Sequence, residues 1–261
     1  MIVCKSPTEI ERMRAANVLV ADVLAELAAM AAPGVTTADL DAKAEALVRQ
    51  AGAEPAFKGY RGYPASLCAS VNDQVVHGIP SNRQLVEGDI ISLDMGVKLN
   101  GFYGDSAVTV PVGSVGADVL KLLRVTQESL EKGIAQVRVG ARVSDIGHAI
   151  QKHVEAGGFS VVREFVGHGI GASLHEDPQI ANYGEPGHGP RLAEGMVLAI
   201  EPMVNMGKPA VRVLSDGWTA VTRDGSLSAH FEHTVAVTKA GPLVLTQRTS
   251  DRRPAAPAIA Q

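Results

Sequence analysis

The chain has 261 residues, of which 46% are hydrophobic and 20% are charged, as in folded globular proteins rather than disordered ones. Its net charge of -4 gives no reason to expect nucleic-acid binding or attraction to a membrane surface. Two cysteines, Cys4 and Cys68, are too few for a disulfide framework or a cysteine-rich zinc site. The sequence shows no signal peptide and no apolar run that could span a bilayer, so we expect a cytoplasmic protein.

The first fifty residues predict two helices. The segment Ser6–Glu9 combines a candidate N-cap serine, a proline suited to the first turn and a glutamate that completes a capping box. An apolar stripe at helical spacing follows and should end at Pro33 and Gly34. A second helix is predicted from Thr36 or Thr37 to the Ala51-Gly52 pair.

This two-helix unit recurs later in the chain, which indicates two related halves of about residues 6–112 and 113–246. After the helices, Glu87–Asp94 matches Glu194–Glu201, and Asp105–Val110 resembles Glu232–Val237. Each half therefore reads helix, helix, then antiparallel strands, which is an α+β arrangement. We expect one catalytic domain over residues 1–249 and a disordered tail over residues 250–261.

Asn100-Gly101 is a strong signal for a two-residue hairpin between two strand-like runs. With that turn, Asp105 falls opposite Gly96, and Asp94 lies on the same face of the sheet. The two aspartates are then diagonal neighbours with backbones roughly 7–8 Å apart, and Gly96 leaves space between them. A longer loop would change this register.

Each half supplies two carboxylates at matching places, Asp94 and Asp105 in the first half and Glu201 and Glu232 in the second. Facing carboxylates resist ionisation unless a cation lies between them, and Lys98 is the only nearby basic residue of the hairpin. A metal is the better counter-charge. Taken alone, either aspartate could instead cap a turn or face water. The matching carboxylates in the second half argue against that alternative. The oxygen-rich set suits Mn, Fe or Co, with Zn also able to bind.

Three histidines lie in segments rich in glycine or proline: His77, His168 and His175. For the loop Gly167–Gly171, a flexible or phosphate-binding loop is the alternative, although the lysine and hydroxyl ending of a phosphate loop is absent. Next to four carboxylates, these histidines become candidates for ligands or substrate contacts. The remaining histidines lack such context; they are His148, His153, His188, His230 and His233. Cys68 is interpreted as a small buried hydrophobic residue rather than a nucleophile.

Nearly the whole chain, from about Ser6 to Thr246, resembles the type I methionine aminopeptidases. The motifs that carry the resemblance are Tyr60–Cys68, Val71–Asp73 with His77–Pro80, Gly88–Asp94, Gly101–Asp105, Gly167–Gly171, His175–Pro178, Ile200–Met203 and Phe231–Thr234. The resemblance implies the pita-bread α+β fold, whose two pseudo-symmetric halves enclose a dinuclear metal site. It also implies removal of the N-terminal methionine from nascent proteins, with preference for a small uncharged second residue.

Carried over residue by residue, the resemblance assigns two divalent ions (Co, Mn, Fe or Zn) to Asp94, Asp105, His168, Glu201 and Glu232, with Asp105 and Glu232 bridging. A metal-bound hydroxide would attack the scissile carbonyl, with Glu201 as acid and base. His77 and His175 would contact the substrate, and His175 could donate a hydrogen bond to the oxyanion. The methionine pocket would be lined by Phe57, Tyr60, Tyr63, Cys68, Leu174 and Trp218. Leu174 departs from the aromatic residue that the family pattern has there.

Two other functions fit parts of the pattern. An X-Pro aminopeptidase or prolidase shares the fold but usually carries an additional N-terminal domain. A non-catalytic pita-bread protein would bind partners and would be expected to have lost ligands, whereas all five candidates are present. We expect a monomer that acts on the N-termini of nascent polypeptides, near the ribosome, because nothing in the sequence suggests a coiled coil.

Overall fold

Helices and strands follow one another in two similar blocks within residues 1–248, which are those that the computed structural model describes. The helices are α1 (Pro7–Met30), α2 (Thr37–Gln50), α3 (Ala117–Ile134) and α4 (Val143–Ala156). The strands are β1 (Glu54–Pro55), β2 (Cys68–Val71), β3 (Gln74–Val76), β4 (Ile90–Leu99), β5 (Phe102–Pro111), β6 (Ser160–Val161), β7 (Gly167–Gly169), β8 (Glu176–Ile180), β9 (Val197–Ile200), β10 (Met203–Asn205), β11 (Val211–Val213), β12 (Ala220–Thr222), β13 (Ser228–His230), β14 (His233–Thr238) and β15 (Gly241–Val244). The predicted α+β class is confirmed.

The two N-terminal helices begin where the sequence predicts. The Ser6 hydroxyl accepts a hydrogen bond from the Glu9 amide, and the Glu9 carboxylate accepts one from the Ser6 amide at 2.7 Å. Thr36 and Asp39 form the same reciprocal pair at the start of α2. Each capping box satisfies amides that would otherwise lack a partner in the first helical turn.

The first block builds a sheet around β4, which pairs with β5 along one edge and with β2 and β1 along the other, all antiparallel. Asn100 and Gly101 both have positive φ, 52° and 84°, as the predicted two-residue turn requires. Leu99 therefore pairs with Phe102, and Gly96 pairs with Asp105. The predicted hairpin register is confirmed.

The second block contains a five-stranded antiparallel sheet in the order β15-β14-β9-β7-β8 and a small sheet in the order β13-β10-β6. A further sheet, β11-β12-β3, joins a strand of the first block to two of the second. The repeat predicted from the sequence extends to backbone conformation. Gly34 and Gly140, which precede α2 and α4, both have φ of 90°, a conformation that favours glycine.

Each block has its own hydrophobic core between its helices and its sheet. In the first core, Leu27 of α1 and Leu40 of α2 pack with Leu93 of β4, and all three are fully buried. In the second core, Ile146 of α4 packs with residues of β9 and α3 such as Leu198. Full burial of one such side chain contributes about 1.5–3 kcal/mol, so each helix pair is held mainly by its apolar face.

The blocks meet along β5 and the start of β14. The Glu232 amide donates a hydrogen bond to the Ala107 carbonyl at 2.9 Å. The Ser106 hydroxyl donates to the Glu232 carbonyl at 2.6 Å, and the Thr234 hydroxyl donates to the Asp105 carbonyl at 2.8 Å. These bonds place the second carboxylate of each half side by side.

No helix among residues 1–248 has the length and apolar character needed to cross a membrane. The predicted tail, residues 250–261, lies outside the described residues, as does residue 249.

Candidate active site

One cavity between the two halves, about 160 Å³ in volume, brings together every residue that the sequence assigned to the site. Its lining consists of Phe57, Tyr60, Arg61, Tyr63, Cys68, Val76, His77, Asp94, Asp105, His168, Leu174, His175, Glu201, Trp218 and Glu232. Arg61 and Val76 were not predicted. The remaining thirteen residues come from segments spread over both halves, so the cavity is a product of the fold rather than of one motif.

Asp94 and Asp105 enter the cavity from the first hairpin. Asp94 pairs with Ala107 and Asp105 with Gly96, which puts both carboxylates on one face as predicted. The sequence had suggested that Gly96 leaves space between the two carboxylates. The structure uses that space differently. A Cβ at Gly96 would lie 2.9 Å from the Phe57 ring and 3.1 Å from the Ala56 side chain, so this space admits the cavity wall.

Glu201 and Glu232 enter from the second half. Glu201 follows β9, and its backbone carbonyl accepts a hydrogen bond from the Asn182 side chain at 3.1 Å. Glu232 precedes β14 and forms an isolated bridge with Ala107. The pairing of His233 with Ile200 brings the two glutamates onto adjacent strands.

His168 completes the group from β7. Its Nδ1 lies 2.9 Å from the Gly169 carbonyl, which can only accept, so Nδ1 carries the proton and Nε2 presents a lone pair. Nε2 lies 3.5 Å from Glu201 Oε1 and 3.9 Å from Asp105 Oδ2. One ligand atom each from Asp105, His168 and Glu232 lies within 4.8 Å of the others, close to the spacing of atoms around one ion.

Asp94, Asp105 and Glu232 are buried and Glu201 is 13% exposed, and no lysine or arginine within residues 1–248 forms an ion pair with any of the four. Burial raises the pKa of Asp94 to about 7. It raises the pKa of Asp105, Glu201 and Glu232 well above their ordinary values, and the neighbouring carboxylates add to the effect. Among residues 1–248, neither Asp105 Oδ1 nor Glu232 Oε1 has a hydrogen-bond partner. Buried carboxylate oxygens without partners, beside an imidazole lone pair, fit divalent cations.

His175 and His77 lie at the cavity's edge and do not belong to that close group. His175 Nδ1 lies 2.9 Å from the Tyr60 hydroxyl, and the two rings stack with centroids 5.2 Å apart. His77 has φ of 60° and packs edge-on against Phe165 and Trp218. Burial lowers the pKa of His77 to about 4 and also lowers the pKa of His175, so both rings are neutral at pH 7.

The remainder of the wall, apart from Arg61, is mainly apolar. Tyr63 packs edge-on against Trp218 with ring centroids 5.1 Å apart, and its hydroxyl lies 3.0 Å from the Leu67 and Gly78 carbonyls. Burial raises the pKa of the Cys68 thiol well above its usual value, as expected for the predicted buried, unreactive cysteine. Leu174 is 2% exposed and belongs to an apolar cluster with Phe57 and Tyr60.

Two features of the site carry no local sequence signal. His230 is buried with its Nε2 3.6 Å from Glu201 Oε2, although nothing around it in the chain sets it apart. Lys5 is also buried and forms an ion pair with Glu176, the residue after His175. Both contacts join segments that are far apart in sequence, so only the fold reveals them.

Comparison with known proteins agrees with this geometry. Residues 11–239 match the family model described as metallopeptidase family M24. Methionine aminopeptidase 1 of Bacillus subtilis is 56% identical over 247 residues, covering 95% of this chain and 100% of that protein. The crystal structure of methionine aminopeptidase from Thermotoga maritima superposes with a TM-score of 0.94 at 49% identity, covering 95% of this chain and 100% of that one.

A prolidase structure from Pyrococcus horikoshii has a TM-score of 0.77 at 23% identity, covering 95% of this chain but 64% of that one, and shares the fold alone. The predicted pita-bread fold and the predicted resemblance to methionine aminopeptidases are confirmed by these likenesses. A family match over most of the chain, with a relative of high identity along its full length, shows that the chain belongs to metallopeptidase family M24.

Proposed function

We propose that this protein removes the N-terminal methionine from newly made proteins, using two divalent ions. The observation that carries the proposal is the composition of the cavity. One side holds four carboxylates and the Nε2 of His168, and the other is an apolar wall that includes Tyr63, Cys68 and Trp218. An unbranched, apolar side chain such as methionine suits that wall.

The ions would be held by Asp94, Asp105, His168, Glu201 and Glu232, with Asp105 and Glu232 shared between them. Four carboxylates balance the charge of two divalent ions, which is the counter-charge that their raised pKa values call for. When bound, such ions supply Lewis acidity and make water a stronger acid near neutral pH.

Glu201 is proposed to carry a proton from the attacking water to the leaving amide nitrogen. Its carboxylate lies inside the cavity and is 13% exposed, and burial raises its pKa above the ordinary value, which favours proton uptake. A carboxylate that binds an ion loses part of that shift, which leaves it able to take up a proton and release it.

His175 is proposed to donate a hydrogen bond to the oxyanion. When the Tyr60 hydroxyl donates to His175 Nδ1, the ring proton resides on Nε2, and the neutral ring keeps it there at pH 7. His77 also lines the cavity, against Trp218, and would contact the substrate backbone. Removing one oxyanion donor lowers turnover by about 10²–10³.

Substrate choice is proposed to have two origins. The apolar wall would select the methionine side chain, and Leu174 would make that wall wider than an aromatic residue at the same position. Preference for a small uncharged second residue follows from the resemblance to methionine aminopeptidases. The proposal also includes a monomeric, cytoplasmic enzyme that acts on nascent polypeptide N-termini, near the ribosome.

The test combines metal analysis with peptide cleavage. Wild-type protein should bind two Mn²⁺ and cleave a Met-Ala-Ser peptide, but neither Met-Leu-Ser nor an X-Pro dipeptide at a similar rate. Glu201→Gln should lose turnover, and its Mn²⁺ content must be measured with the rate because an amide is also a weaker ligand. Cleavage of X-Pro alone would favour a prolidase, and two bound ions without any cleavage would favour a non-catalytic binding protein.

A further inference from the structure

His230 is held firmly at the margin of the carboxylate cluster. It is 1% exposed and ends β13, where it pairs with Met203, two residues after Glu201. Its backbone amide donates to Thr109 Oγ1 at 2.8 Å, and Thr109 Oγ1 donates to the His230 carbonyl at 2.7 Å. Because both backbone groups are bonded to one side chain of β5, the position of the imidazole is fixed by the strands.

The His230 ring lies close to one carboxylate oxygen of the cluster. Its Nε2 lies 3.6 Å from Glu201 Oε2, and neither ring nitrogen has a hydrogen-bond partner in the described part of the chain. An imidazole carries at least one N–H whether neutral or protonated. A buried N–H without an acceptor is unfavourable, so a small shift of the His230 ring toward Glu201 Oε2 is favourable.

The two oxygens of Glu201 therefore face different imidazoles. Oε1 lies 3.5 Å from His168 Nε2, on the side of the proposed ions, and Oε2 lies 3.6 Å from His230 Nε2. A glutamate carboxylate rotates easily about its last side-chain torsion, because that torsion has a broad, roughly two-fold preference. A donor that holds Oε2 would stop this rotation and keep Oε1 directed at the ions.

We propose that His230 is a positioning residue for Glu201, whose Oε2 accepts a hydrogen bond from His230 Nε2. The consequence for catalysis rests on the proposed cleavage of methionyl peptides, whereas the consequence for metal binding rests only on the proposed role of Glu201 as a ligand. Partners that orient metal ligands typically change metal affinity or activity by 10–100-fold when they are removed. We expect a loss of this size in His230→Leu, which keeps a side chain of moderate volume but removes the donor.

The experiment compares His230→Leu with His230→Gln, whose amide keeps an N–H at a similar distance from the backbone. His233→Leu is the matched control. His233 is another partly enclosed histidine three residues away, but its Nδ1 bonds Thr246 Oγ1 at 2.8 Å instead of a cluster carboxylate. Calorimetric titration of the EDTA-treated proteins with Mn²⁺ should show affinity weakened 10–100-fold in His230→Leu, and within about threefold of wild type in His230→Gln and His233→Leu.

A second measurement separates positioning from packing. At saturating Mn²⁺, His230→Leu should lower kcat for Met-Ala-Ser while KM stays near the wild-type value, because the methionine wall is untouched. In a Glu201→Gln background the effect of His230→Leu on Mn²⁺ affinity should shrink, since the two changes remove the same interaction. If His230→Leu does not fold, His230→Asn replaces it, because its shorter amide does not reach Oε2.

Wild-type Mn²⁺ affinity and kcat in His230→Leu, with only a lower melting temperature, would overturn the proposal. So would equal losses in His230→Leu and His230→Gln, since the donor would then be irrelevant. If wild-type protein binds two Mn²⁺ but does not cleave methionyl peptides, the proposed function fails. The Mn²⁺ titrations then decide the role of His230 alone.

Discussion

Removal of divalent ions should cost the protein more stability as the pH rises through about 7, the pKa of Asp94. Burial raises the pKa of Asp94 from 3.8 to about 7 and raises those of Asp105, Glu201 and Glu232 well above their usual values. Such carboxyls keep protons in the folded chain that the unfolded chain has already released. The free energy of unfolding then falls with increasing pH, because the folded state binds more protons.

Four largely enclosed histidines act in the opposite direction. Burial lowers the pKa of His77, His168 and His233 to about 4, and that of His230 to about 3. They are neutral in the folded protein at neutral pH, but the unfolded chain titrates them around the ordinary value of 6.5. Stability from this source therefore rises with pH and levels off only about one unit above that value. A comparison of metal-free with Mn²⁺-loaded protein removes the histidine effect, because these rings are neutral in both folded forms.

The expected size follows from the number of protons retained. Each proton that the folded chain holds and the unfolded chain lacks changes stability by about 1.4 kcal/mol per pH unit. Asp94, with a pKa of about 7, retains on average about half a proton between pH values of about 6.5 and 7.5, which gives a loss of about 0.7 kcal/mol in this window. The raised pKa values of Asp105, Glu201 and Glu232 add to this loss. A protein of ordinary stability has only about 5–15 kcal/mol in total, so the effect is readily measured.

Urea unfolding of EDTA-treated protein, measured from about pH 5.5 to 8.5 with and without Mn²⁺, tests this expectation. The stability that Mn²⁺ adds to the metal-free protein should increase with pH across this range, because bound ions keep the carboxylates deprotonated. Asp105→Asn is the matched variant, and the increase should be smaller for it because one raised carboxyl is missing. A difference between loaded and metal-free wild type that does not change with pH would refute the argument.

Three further outcomes are expected. His175→Ala should lower kcat by about 10²–10³ with metal content unchanged, whereas His168→Ala should lose at least one ion. Metal content and turnover are measured on both variants. Loss of metal in His175→Ala but not in His168→Ala would contradict the assigned roles. Tyr60→Phe keeps the ring stacked on His175 but removes the hydroxyl that is proposed to set the tautomer of His175. We expect kcat to fall about tenfold, with KM and metal content unchanged. A wild-type kcat in this variant would contradict the proposed role of the hydroxyl. Lys5→Met leaves Glu176 without its partner, so the free energy of unfolding should fall by about 3 kcal/mol and kcat should also fall. The double variant Lys5→Met with Glu176→Gln should restore both quantities if the unpaired buried charge is the cause. Unchanged stability in Lys5→Met would show that the ion pair does not stabilise the protein.

Features set by neighbouring residues could be predicted from the sequence. Capping boxes fixed the starts of α1 and α2, and Asn100-Gly101 fixed the register that sets Asp105 opposite Gly96. The ligand candidates from both halves followed from the repeat and the resemblance. They all line one cavity, although their roles stay predictions until metal and activity are measured.

Contacts between distant segments could not be predicted in this way. His230 meets Glu201 only because β10 and β13 pair, and Lys5 meets Glu176 across 171 positions of the chain. The expectation that Gly96 separates two carboxylates was wrong. The alternation of side chains along a strand predicts which face a residue lies on, but not which side chains from other segments pack against it. The Phe57 ring, which arrives from another segment, takes that space.

The hydrogen bonds that join the halves also bear on when the site forms during folding. Ser106 reaches the Glu232 carbonyl over 126 positions, and Thr234 reaches the Asp105 carbonyl over 129. Contacts between such distant positions form slowly, because a long loop must close before they stabilise the chain. Either half could build its helices and hairpin earlier, yet it would hold only two of the four carboxylates. High-affinity binding of both ions would therefore begin only at the last step of folding. Its rate would report the rate at which one half docks onto the other.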